Sequence, residues 1–162
     1  MLFTNRNRSL EEVGRWALVR AALDIGLPSQ PTSAEADQYF QRRDWSNSAV
    51  SYGALLKSHP KDGALWHGYA SALQRTHQCR AAIGAFRRAA KLSVSGRGDI
   101  HYEAARCETE LGERERALDE LSAAVASGFK DEDGELPTDG LFEPLWGDAR
   151  FAKILRVLHP PR

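Results

Sequence analysis

Chemistry needs side chains that can hold a metal, cradle a phosphate or move a proton, gathered at workable spacings. The candidates are few. The histidines are His59, His67, His77, His101 and His159, and the cysteines are Cys79 and Cys107. His77 and Cys79 are close in sequence, but a zinc site wants paired ligands such as Cys-x-x-Cys, and none is present. Cys107 falls among small residues and is expected in a core. Cys79 follows a turn, where partial exposure is expected. Asp131, Asp133, Glu135 and Asp139 stand at the first, third, fifth and ninth places of a possible calcium loop. An EF-hand loop also needs glycine at the sixth place and a bidentate glutamate at the twelfth. Leu136 and Phe142 occupy those places, so the segment reads as a solvated acidic loop. No phosphate-binding glycine loop, Gly-x-Ser-x-Gly elbow or His-Glu-x-x-His helix occurs. Gly96-Arg97-Gly98-Asp99 reads as a connector. No catalytic residue, metal ligand or cofactor is predicted, and the chain is not expected to be an enzyme.

The composition agrees with a packed domain. The chain has 162 residues, 42% hydrophobic and 27% charged, which suits one globular domain. Lys+Arg is 22 and Asp+Glu is 22, so there is no global basic surface for nucleic acid. Two cysteines cannot staple a chain of this length, and stability must come from a core. No run approaches the ~18 apolar residues of a membrane helix, and the first residues lack a signal-type apolar stretch. A cytoplasmic protein with no membrane or nucleic-acid partner is expected.

The elements that would position any site are written as a repeat. From Gly63, the residues Trp66, Ala70 and Leu73 share one helix face, and Ala82, Phe86, Ala89 and Leu92 share another. The break falls at Thr76-His77-Gln78. The pattern returns about 34 residues later, with Ala105 for Ala70, Ala117 for Ala82, Leu121 for Phe86 and Ala124 for Ala89. Gly112 is placed to end the first helix of that unit. A weaker copy lies upstream: Ala36 and Tyr39, a turn at Asp44-Trp45, then Ser48, Tyr52 and Leu55 before Pro60. Alanines stand where helices cross closely, and aromatics fill the gaps.

In period and in the places of its small and aromatic residues, this pattern resembles the tetratricopeptide repeat. The unit 63–96 is a close match, 98–128 matches well in its second half (Leu111 to Leu118), and 29–62 is degenerate in its first helix. The resemblance implies an all-α fold, a right-handed superhelical solenoid of about three helix-turn-helix hairpins, 29–128, with capping helices at both ends. Ser9-Leu10-Glu11-Glu12 is a capping box that opens a predicted helix within 1–28. It reads as a cap on the array or as a dimerisation element. The tail, 129–162, carries the acidic loop and a final helix. Gly128-Phe129 and Asp148-Ala149-Arg150-Phe151 are similar to the segment that closes many bacterial arrays. Phe151, Ile154, Leu155 and Leu158 are expected to pack on the last repeat.

The resemblance also implies a use. Such arrays bind a segment of a partner protein in a concave groove lined by the first helix of each hairpin. Carried over position by position, the groove would draw on Ser33, Asp37, Phe40 and Gln41, then His67, Ser71, Gln74 and Arg75, then Asp99, Tyr102, Arg106 and Thr109. Phe40, Arg75, Tyr102 and Arg106 are the expected anchors, since aromatics and arginine dominate binding hot spots. The family's clamp for acidic chaperone tails uses lysine, asparagine and arginine. Its positions hold Ser33, Asp37, Gly68, Asp99 and Glu103 here, which excludes that ligand. An adaptor or scaffold for a protein or peptide partner is predicted, as a monomer or a weak homodimer through the N-terminal helix. The alternative is a chaperone for type III secretion translocators, which are similar in size and carry an extra N-terminal helix. A third reading, an enzyme or metal-binding protein, requires that folding gather His77, Cys79 and Cys107.

Overall fold

Helix starts are set by short polar side chains that accept from free backbone N–H groups. Thr32 caps α1 (Ser33–Gln41), and Glu35 returns the bond to the Thr32 N–H at 2.8 Å, completing a capping box. Asp44 caps α2 (Trp45–Ser58), accepting from Asn47. Asp62 caps α3 (Gly63–Arg75), accepting from Ala64 and Leu65 at 2.9 and 3.1 Å. The helices α4 (Cys79–Leu92), α5 (Arg97–Glu110) and α6 (Arg114–Ala126) start without a side-chain cap. Packing must hold their first turns. The computed structural model describes residues 31–93 and 95–160, which belong to the unit Pro31–Arg162. The helix expected within 1–28 lies outside them.

The three hairpin turns share a device. Arg43, His77 and Gly112 stand at matching places, with φ of 61°, 57° and 76°. Only the last is glycine, the residue for which this left-handed backbone carries no steric cost. The first two hairpins therefore hold their turns by the packing of the helices on either side.

Consecutive helices pack as antiparallel neighbours from α1 to α6, in an all-α solenoid. The crossings are closed by alanine. Ala36, Ala70, Ala72, Ala82, Ala89, Ala105, Ala117 and Ala124 are all fully buried. Ser48 takes the alanine's place in the first hairpin and is also buried, its hydroxyl donating to the Ala36 carbonyl at 3.0 Å. Phe86 fills the central core. Two expectations need correction. Trp66 is only half-buried, because its ring bridges the first two cores at the surface and its Nε1 donates to the Pro60 carbonyl at 2.9 Å. Cys79 is not part-exposed but 2% accessible, because α4 begins at it and turns it inward against α5.

The tail closes the third core. Leu136, Phe142, Leu145, Phe151 and Ile154 pack with Leu118 and Leu121. They come from the loop after Gly128, a short 3-10 helix (Gly140–Leu145) and α7 (Ala149–Leu158). Asp148 caps α7, and Arg150 reaches back to Glu115 and Asp119 of α6 at 3.1 and 2.5 Å. Phe129 seats its backbone on Gly98 of α5, where an added Cβ would lie 2.8 Å from the Phe129 Cα.

That contact sets the sign of a paired substitution. Gly98→Ala must push the tail away and is expected to cost about 1–3 kcal/mol. Gly84→Ala, on an exposed face of α4 with nothing near the new Cβ, is expected to stabilise by about 0.5–1 kcal/mol. Thermal melts of the two variants check this, and equal shifts would contradict the Gly98 packing.

Candidate functional site

The first helices of the hairpins approach one another directly, α1 to α3 and α3 to α5, whereas α2 and α4, or α4 and α6, make no comparable approach. The chain therefore curves toward α1, α3 and α5, and their open sides line the inner face.

At one end of that face sits an aromatic group. Phe40 meets Trp45 edge-on at 4.7 Å, and the exposed Arg75 holds its guanidinium 5.8 Å from the Trp45 ring. Phe40 is half-buried against the core, so it supports this end from below. Asp37 accepts from the Tyr52 hydroxyl, and burial with that bond pushes the phenol well above its usual range. Ser71 is half-buried on α3, and Gln74 donates to the Glu103 carbonyl at 3.3 Å, tying α3 to α5.

At the other end, Tyr102 stacks on Phe129 at 4.5 Å and accepts from Arg106 at 3.3 Å. Arg106 is held by Asp139 at 2.7 Å. An arginine already paired inside the protein has less to offer a partner than one in water. Thr109, expected on the groove, is instead buried, because α5 turns it toward the core and its hydroxyl bonds the Ala105 carbonyl at 2.8 Å. Two open recesses adjoin here. One, of about 360 Å³, is lined by Ala64 and His67 of α3, Ser93, Asp99 and Ile100. The other, of about 450 Å³, lies between Asp99, Tyr102, Phe129 and the acidic loop. Asp99 belongs to both.

The sequence-predicted anchors are thus divided between two ends, Phe40 with Arg75 and Tyr102 with Arg106. Three further residues complete the face. Trp45 joins Phe40 to Arg75, Phe129 covers Tyr102, and Glu103 of α5 adjoins α3 where its carbonyl accepts from Gln74. An aromatic directly after the capping Asp44 was the available signal for Trp45. Phe129 lies beyond the repeat pattern, and only the folded tail brings it back.

The cysteines and His77 do converge. Glu110 accepts from the Cys79 thiol at 3.2 Å and bonds His77 Nδ1 at 2.9 Å, and Cys107 adjoins Cys79. Burial pushes the Cys79 thiol up to about 11, and it raises Cys107 as well. Thiols held protonated are poor nucleophiles and poor metal ligands. Among the described residues, no group of three or more His, Cys, Asp or Glu side chains is arranged to hold a metal ion. The acidic loop is organised from within. Asp131 accepts from the Glu135 and Leu136 N–H groups and from His159 Nε2 at 2.9 Å. Among the described residues, no helix is long and apolar enough to cross a membrane.

Solved structures share this arrangement. A type III secretion chaperone from Yersinia enterocolitica, SycD, solved with a peptide of the translocator YopD, superposes with a TM-score of 0.58 at 18% identity, covering 78% of this chain and 88% of that one. The TPR2B domain of yeast Sti1, solved with pHsp70, gives 0.56 at 20% identity, covering 74% and 92%. The chain has the tetratricopeptide-repeat fold. PcrH, solved with the chaperone-binding region of PopD, is similar to this tetratricopeptide array over 96% of both chains, with a TM-score of 0.55 at 15% identity. No protein-family model and no curated protein matches the sequence.

His67 gives the inner face a pH signature. It is packed against Phe86, and burial lowers its pKa below the ordinary 6.5, while Glu103 and Asp99 pull the other way. The unfolded chain takes up this proton before the folded one does, so stability is lost as pH falls through the ordinary histidine range. Lowering the pH from about 7.5 to about 5.5 should depress the melting temperature less in His67→Gln than in the wild type. An identical drop in both would contradict the half-buried, neutral imidazole.

Proposed function

We propose that this chain is a non-catalytic adaptor that binds an extended or helical segment of a partner protein in the groove of α1, α3 and α5. It would act in the cytoplasm, with the hairpins 29–62, 63–96 and 98–128 as its repeat units. The observation that carries the reading is the inner face itself. Its aromatic groups at both ends are backed by the core, and two open recesses lie at the Tyr102 end. Such a surface loses little side-chain entropy when a partner docks, because its rings are already held. The solved neighbours with this fold support the reading, since three of them were captured with peptides or segments of other proteins. His67, Ser71, Gln74, Arg75 and Tyr102 would contact the segment, and Phe40, Asp37 and Arg106 would brace them.

A second reading is a chaperone for type III secretion translocators. SycD is such a chaperone, and PcrH, solved with the chaperone-binding region of PopD, matches 96% of this chain. This reading adds a homodimer through the N-terminal helix to the same groove.

Affinity capture from lysate separates groove binding from other surfaces. Ser71→Trp/Arg75→Ala fills the middle of α3 with a neutral bulk and removes an exposed cation. A partner retained by the wild type and lost by this variant, at an unchanged melting temperature, is the expected result. Equal retention by both would refute the groove.

A further inference from the structure

The charges on the inner face are not evenly spread. At the Trp45 end the exposed side chains Arg42, Arg43 and Arg75 are cations. At the other end, Arg106 is neutralised by Asp139, and Asp131 is engaged by His159. The recess beside Tyr102 is further lined by Asp99, Glu132, Asp133 and Glu135 against the single cation Lys130, and none of these, nor Glu103 of α5, enters an ion pair among the described residues. Asp99 shares the first recess with His67 of α3, and Glu103 adjoins α3 where its carbonyl accepts from Gln74. Asp99 forms the rim between the two recesses. A chain crossing that rim places successive side chains in alternate recesses, as an extended segment does. The second recess has the Tyr102–Phe129 stack as its apolar wall.

We propose that the α3–α5 half of the groove takes an extended peptide segment bearing lysine or arginine, laid across Asp99 with its cations facing Asp99 and Glu103. This rests on the groove reading above and adds the chemistry of the partner. Two observations converge on it. The two recesses that flank Asp99 accommodate an extended chain with side chains on both sides of it. The unpaired carboxylates select the sign of those side chains, since opposite potentials steer association and like charges exclude wrong partners. A lysine or arginine fits further, because its aliphatic stem lies along apolar wall while its head stays with the carboxylates. The array is thereby opposite in preference to the clamps that hold acidic tails. Of their five matching positions, Asp37, Asp99 and Glu103 are acidic here, and Gly68 is closed by the Tyr52 ring, 2.6 Å from an added Cβ.

Fluorescence anisotropy on the full-length protein tests this with three labelled peptides on one serine–leucine background. They carry lysine, glutamine or glutamate at alternate positions. The lysine peptide should bind at least about tenfold tighter than the glutamate peptide and weaken as salt rises. Asp99→Asn and Glu103→Gln should each weaken it about two- to fivefold at an unchanged melting temperature. Glu115→Gln on α6 should leave it unchanged. No binding of the lysine peptide, or indifference to both substitutions, would overturn the proposal. Equal binding of all three peptides, lost in Ser71→Trp/Arg75→Ala, would overturn the charge preference and leave the groove standing. Binding that survives Ser71→Trp/Arg75→Ala would move the site off the groove and overturn both.

Discussion

Everything in this structure depends on how closely its helices approach. The crossings admit only small side chains, and eight alanines and Ser48, all at full burial, hold them. A larger residue at any of them would overpack the crossing. Close approach makes the hairpins stack in one register. The stacking brings α1, α3 and α5 to one side, and their common side is the binding face. Alanine contributes little apolar area by itself, so the stabilising area comes from the rings and branched chains fitted between the crossings, Phe86 above all.

Shape alone would let the second and third hairpins slide. An ionic network that runs from the half-exposed Arg87 to the buried Glu108 opposes that. Arg87 of α4 donates to Glu108 of α5 at 2.8 Å and to Glu120 of α6 at 3.0 Å, and His101 bonds the other Glu120 oxygen at 2.8 Å. The Glu108 side chain is only 2% exposed. Burial raises its pKa although Arg87 pulls it down, so desolvation outweighs the pairing there. Such a network adds little net stability, yet misregister would strand a buried carboxylate. Its work is to specify the α4–α5–α6 arrangement, and with it the position of Asp99 and Tyr102 on the far side of α5.

The repeat was readable because alanine spacing and the aromatic at each core position are local facts of the sequence. The closing helix was readable for the same reason, since Asp148 caps it and Phe151 and Ile154 share its apolar side. Exposure was harder. Trp66 looked like core, but its indole N–H needs an acceptor and finds the Pro60 carbonyl at the surface. Thr109 fits a groove position by count, yet it lies on the core side of α5, bonded to the Ala105 carbonyl. The site's partners were least visible. Phe129 and Asp139 reach Tyr102 and Arg106 only because Gly98 lets the tail lie against α5. No periodicity encodes a contact between a loop and a helix so far apart in the chain.

Structure and charge together describe a stiff, curved stack with one chemically distinct face, aromatic at both ends and carboxylate-rich toward the tail. The central claim is that this face, and not the outer layer, receives a partner. Amide chemical-shift mapping of the full-length protein during titration with a lysine-bearing peptide tests it most directly. The account predicts that the shifts concentrate on α3, α5 and the loop after Gly128. Shifts concentrated instead on α2, α4 and α6 would contradict it.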